Sequence, residues 1–294
     1  MKKHQLILSV CFVVLFSSCI KELIEEELKP TIEDNIRFQR ENSLFGFDVN
    51  TSDCRVDQSI ENTVDSSFFT YYMAGGLKQV LVGKEGSKVE YAYDIDGRLQ
   101  VVLSYDDESN VKKMEFFYTT DKKRMRRVLI SSFGSTSGGG IDTIYAEYPL
   151  NTNKFILYST KIKEGKNNAT SVCYFDADGN IKTIERGFRD PDTKIVDVRT
   201  TETFEYNTAI INPYFNNVHA DYLALMATMP TGDETNNANY FLSRNVAVSH
   251  TTSASSSVFN LSNEVLNADG TAEQLVYEDE LNQELMLDFV LSCR

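Results

Sequence analysis

The chain has 294 residues, with 18 Phe, 15 Tyr and no Trp, and a formal charge of −14. That is enough apolar material for one large β domain or two small ones. The charge disfavours a nucleic-acid role, because polyanion binding needs Lys and Arg gathered on one face. The dense basic run Lys122-Lys123-Arg124-Met125-Arg126-Arg127 reads instead as a hairpin turn feeding a strand, with its charges facing water.

Residues 1–18 read as a signal peptide, with a basic start at Lys2 and Lys3 and an apolar stretch from Leu6 to Phe16. Leu15-Phe16-Ser17-Ser18-Cys19 then places small residues before a cysteine and resembles a bacterial lipobox. The resemblance implies cleavage before Cys19 and acylation of its sulfur, which makes the membrane a partner through a lipid anchor. Ile20 to Glu27 forms an acidic run that resembles the export signals of surface lipoproteins in Bacteroidetes-type bacteria; a solvated linker fits the same residues. The address implied is an outer-membrane lipoprotein, at the cell surface or on the periplasmic side. Residues 19–57 read as this acidic linker with a short helical segment, which Pro30 interrupts.

Residues 58–294 read as a single domain. Within it, Lys88 to Tyr118 shows period-two alternation on either side of Asp94-Ile95-Asp96-Gly97, the mark of two strands and a tight hairpin. From Leu77 to Tyr206 strand after strand follows with hairpin-length breaks, so the neighbours are antiparallel. The hairpin pattern recurs at Cys173 to Gly179 and, more faintly, at Leu266 to Gly270. The irregular spacing excludes a fixed-period propeller or solenoid. Asn212-Pro213 then opens a predicted helix over 212–229, closed by Pro230. Strands resume from Tyr240, and Leu285, Leu287, Phe289 and Leu291 alternate at the end of the chain. The fold expected is all-β, an antiparallel meander closing into a barrel-like domain of about a dozen strands, with the helix covering one end.

The Tyr-x-Tyr/Phe-Asp-x-Asp-Gly hairpins, the helix after the meander and the lipobox together resemble a Bacteroidetes lipoprotein family of unknown function with a porin-like fold. The resemblance implies a closed or nearly closed antiparallel barrel and carries no activity to any residue. A membrane-spanning wall is disfavoured, because a lipid anchor would be redundant and Arg124, Arg126 and Arg127 crowd one strand.

The chemistry offered is sparse. With residues 1–18 removed, Cys11 is gone and Cys19 is lipidated, leaving Cys54, Cys173 and Cys293. Cys173 alternates with Phe175 and reads as a small buried hydrophobe. Cys54 and Cys293 lie near opposite ends of the domain, and an oxidising envelope compartment permits a disulfide between them. His219 and His250 are the histidines left, which removes most triads and zinc sites. No catalytic, cofactor or metal residues are assigned, and no cofactor is expected. The Asp-x-Asp-Gly turns lack the earlier acidic ligand of a calcium loop and read as turn chemistry. Tyrosines 71, 72, 91, 93, 145, 148 and 158 are candidates for stacking on sugars or for core packing. The function read from this is a non-catalytic binding or structural module with a glycan or envelope protein as partner. The alternative is a carboxylate-dependent hydrolase acting on glycans, for which nothing marks one pair of acids from another.

Overall fold

The computed structural model describes residues 44–45, 54–61, 65–73, 77–82, 88–94, 98–105, 110–121, 124–133, 140–215, 219–230, 243–253, 258–279 and 283–293. The proposed signal peptide, Cys19 and the acidic run lie outside them. Sixteen strands follow one another: β1 (Cys54–Glu61), β2 (Asp65–Met73), β3 (Leu77–Val82), β4 (Lys88–Tyr93), β5 (Leu99–Tyr105), β6 (Val111–Tyr118), β7 (Met125–Phe133) and β8 (Ile141–Glu147) form one half. The other half comprises β9 (Lys154–Glu164), β10 (Asn167–Phe175), β11 (Ile181–Arg189), β12 (Val196–Ile211), β13 (Asn245–Thr252), β14 (Val258–Leu266), β15 (Ala272–Glu278) and β16 (Glu284–Cys293). The single described helix, α1, runs His219–Thr228 between β12 and β13.

Each strand pairs antiparallel with the next, and β16 returns to β1, so the sheet closes into a barrel. The closing seam runs from Cys54 opposite Cys293 to Glu61 opposite Leu287. Sixteen strands exceed the expected dozen partly because β1 and β2, before Leu77, carry no strand signal in their sequence. Their sequences CRVDQSIE and DSSFFTYYM mix polar and apolar residues without clean alternation.

The direction of the alternation determines what kind of barrel this is. Along β5 to β11 the buried residues Val102, Met114, Val128, Ile144, Leu157, Cys173 and Ile184 point inward, and β15 and β16 add Leu275, Tyr277, Leu287 and Phe289 to the same core. Outward positions carry Lys113 with Glu115, Lys154, Glu185, Glu205 and Arg199 with Asp197. A membrane pore of this strand number is apolar outside and polar inside, around a water-filled lumen. Here the described interior is packed with apolar side chains around a few buried polar groups, while the outer face mixes these charges with exposed apolar residues such as Phe117, Phe133, Ile141 and Val290. Among the described residues, no helix is long and apolar enough to cross a membrane.

The three related hairpins share one device. Asp94, Asp176 and Asn267 each use a side-chain oxygen to accept the amide of the residue four positions on, from Arg98, Asn180 and Thr271. Gly179 and Gly270 take the positive φ that the turn demands, 83° and 87°. The hairpins join β4 to β5, β10 to β11 and β14 to β15, so all three lie at one end of the barrel, the end that also holds Cys54 and Cys293. In two of them the first carboxylate, of Asp94 or Asp176, is engaged by its own turn.

The helix is shorter than the predicted 212–229. Asn212 caps a separate turn first, accepting the amide of Tyr214 on its side chain and that of Phe215 on its carbonyl. Helix α1 lies across the interior. Tyr222 packs edge-on against Tyr91 of β4 at 6.0 Å, while at the other end Ser171 of β10 donates to the Thr228 carbonyl. Five strands separate β4 from β10, so contacts to both sides require the helix to cross the lumen. Leu225 at its centre is fully buried. Leu44 and Phe45, from the segment preceding β1, join this core: the Leu44 amide donates to Asp221 and Phe45 stacks on Phe155 at 4.3 Å.

A buried polar group fastens the helix C-terminus to the wall. The last carbonyls of a helix lack partners within it, and here Arg186 of β11 donates to Ala227 and, at 3.1 Å from Nε, to Met229. The same guanidinium pairs with Glu202 of β12, whose other oxygen lies 3.0 Å from His250 Nε2 on β13. His250 in turn stacks on Phe204 at 4.6 Å. Positive charge at this helix end also complements its dipole.

Candidate functional site

A row of outward side chains crosses four strands in direct register: Phe117 on β6 opposite Arg127 on β7, Arg127 opposite Tyr145 on β8, and Tyr145 opposite Tyr158 on β9. Directly paired residues share a face and touch. Arg127 covers the Phe117 ring at 4.4 Å, and the Tyr145 and Tyr158 rings stack at 5.5 Å. The spacing of neighbouring strands makes the row about 15 Å long. A bulge at Arg126, where Tyr118 pairs with Met125, leaves Arg126 exposed beside it.

Arg189 of β11 extends the row. Its guanidinium lies 5.4 Å from the Tyr158 ring centre and pairs with Glu147 at 2.9 Å. Its Nε is buried without an acceptor. The Tyr158 phenol is held above its ordinary range, first by burial and then by the Glu147 carboxylate, to which it also hydrogen-bonds. A second tyrosine, Tyr174, stands nearby with Lys154 over its ring at 5.5 Å and its hydroxyl donating to Glu185 at 3.0 Å; burial and that carboxylate raise its pKa as well. Flat apolar ring faces bordered by fixed donors and acceptors suit a ligand with both apolar and hydroxyl-bearing faces.

Of the other tyrosines singled out from sequence, Tyr91 belongs to the core, and Tyr148 donates to the Met125 carbonyl with Arg124 over its ring. Side chains 71, 72 and 93 lie outside the described residues. Cys54 and Cys293 face each other at the seam and are joined as a disulfide, with their Cα atoms 4.1 Å apart. Cys173 is a buried free thiol, and burial pushes its pKa up to about 12 despite the opposing influence of Arg186. His219 begins α1, and its side chain is not described. His250 is buried against Glu202. Among the described residues no group of three or more His, Cys, Asp or Glu is arranged to hold a metal.

Sequence reasoning missed the Arg186, Glu202 and His250 group, whose members are far apart in the chain. The available signal was phase, since Arg186 keeps step with core-facing Ile184 and Glu202 with Phe204. Fully buried carboxylates are committed to the fold: Glu202 faces Arg186 and His250, and Asp221 accepts the Leu44 amide.

No family model matches the chain, and no curated protein matches it. It is similar to the solved structure of a porin-like protein from Bacteroides vulgatus ATCC 8482, at 13% identity and a TM-score of 0.38, covering 80% of this chain and 98% of that one. It is also similar to a porin-like protein from Bacteroides uniformis ATCC 8492, at 10% identity and a TM-score of 0.33, covering 81% and 95%.

Proposed function

We propose that the chain is an envelope lipoprotein, anchored through Cys19, whose packed barrel is a non-catalytic binding body that presents its outer wall to a glycan or an envelope protein. The observation that carries this reading is the register row of Phe117, Arg127, Tyr145 and Tyr158, extended by Arg189 and Glu147. Aromatic rings already stacked on one another and on guanidinium groups lose little entropy when a ligand lies across them. The packed interior, in place of a water-filled lumen, supports a body that is held at the membrane by a lipid and not inserted by its strands.

Binding is tested on a glycan array with the parent chain and a Tyr145→Ala, Tyr158→Ala variant, alongside a reducing-sugar release assay. Binding of a glycan class by the parent and its loss in the variant is expected, with no sugar released. Release from any polysaccharide, abolished by replacing Glu147 or Glu185 with Gln, would favour the hydrolase reading. The anchor is tested by detergent phase partitioning of a Cys19→Ala variant, which is expected to move to the aqueous phase.

A further inference from the structure

At the barrel end opposite the disulfide, the inner wall changes character. Ser104 of β5, Lys112 of β6 and Ser132 of β7 are paired in direct register. Ser104 faces inward, because its hydroxyl meets Tyr222 of α1, so Lys112 and Ser132 face inward too. All three are partly exposed. The backbone of Ser132 donates to the Gly140 carbonyl at 3.2 Å, and the ammonium of Lys161 stands 2.6 Å from where a Cβ on Gly140 would lie. Two ammonium groups and a serine hydroxyl thus border one rim of the mouth.

Among the described residues, Lys112 and Lys161 form no ion pair, a state they share with outward cations such as Arg126, Arg127 and Lys154; Lys112 differs in facing inward. Among the described residues the inward carboxylate of β8, Asp142, is taken up by the Ser159 hydroxyl at 2.9 and 3.1 Å and by the Thr143 amide. Burial without a compensating anion lowers the pKa of Lys112. Lys112 is thus an inward, partly buried ammonium with no carboxylate partner among the described residues.

We infer that this rim is an oxyanion-binding site, in which Lys112 and Lys161 flank a carboxylate, sulfate or phosphate group that also accepts a hydrogen bond from Ser132. The site is on the inner face of β6 to β9 and is independent of the outer tyrosine row. A charge-assisted hydrogen bond contributes about 1.5–3 kcal/mol, so losing Lys112 should weaken binding about 10- to 100-fold.

The test is calorimetric titration of the whole chain at low ionic strength with sulfate, inorganic phosphate and glucuronate, and with a sulfated oligosaccharide. The variants are Lys112→Met, Lys161→Met and Tyr145→Ala, Tyr158→Ala. Saturable binding of at least one oxyanion, weakened tenfold or more by Lys112→Met and unaffected by the tyrosine changes, supports the site. Tighter binding of the oligosaccharide than of free sulfate would identify a polymer-borne ligand, and equal binding a free ion; either upholds the site. Lys112→Met removes a desolvated charge and is expected to melt no lower than the parent, so loss of binding will not reflect loss of fold. Binding unchanged in Lys112→Met, or no saturable binding of any of the four probes, overturns the inference.

Discussion

One strand, β11, presents nearly the same trio of groups on its two sides, with different consequences. Inside, Arg186 pairs with Glu202 beside the stacked rings of Phe204 and His250; outside, Arg189 pairs with Glu147 beneath the ring of Tyr158. The difference is solvent. Glu202 is fully buried, while the Glu147 side chain is 39% exposed. A carboxylate in water survives the loss of its partner at little cost, whereas a carboxylate in a packed core does not. The inner trio therefore serves the fold, and the outer trio can change its partners when a ligand arrives.

The largest effect expected is on the inner side. Arg186→Met strands Glu202 and uncaps α1, and should lower unfolding stability by about 3–5 kcal/mol in urea titration. Changing Glu202 to Met as well should restore much of that loss. Next comes the seam. The disulfide closes a loop spanning 239 residues, and Cys54→Ser with Cys293→Ser should cost about 2–5 kcal/mol, read as a lower midpoint under non-reducing conditions. On the outer side Arg189→Met should cost about 1 kcal/mol or less, discounted for the exposure of Glu147, yet should weaken glycan binding in the assay that Tyr145→Ala, Tyr158→Ala abolishes. Equal destabilisation by Arg186→Met and Arg189→Met would erase the contrast. The smallest effect is a null: Cys173, buried and with a raised pKa, should resist iodoacetamide in the native state at neutral pH and react once the chain unfolds.

The contrast also explains what was readable in the chain. In β16, Leu285, Leu287, Phe289 and Leu291 meet the core while Asp288 and Val290 face outward, so period two is visible in the sequence. The Asp-x-Asp-Gly hairpins were legible because their turn chemistry is local, within five residues. Helix α1 was legible as a helix, but its course across the lumen was not, since that depends on Tyr91 and Ser171 from strands far apart in the chain. The inner trio was hidden for a related reason: a buried Arg looks like an exposed one until its partners are known. The outer row needed the strand register, because Phe117, Arg127, Tyr145 and Tyr158 have no shared motif and align only when the sheet is built.

The central claim is that the barrel is filled by its own helix, and native-state hydrogen exchange measures this most directly. Amides of residues 222–229 should exchange as slowly as those of β10 and β11, because Leu225 and the Arg186 contacts hold them to the wall. In Arg186→Met their protection should fall further than that of the strands. Rapid exchange of α1 in the parent chain, with β10 and β11 still protected, would mean that the helix does not fill the barrel.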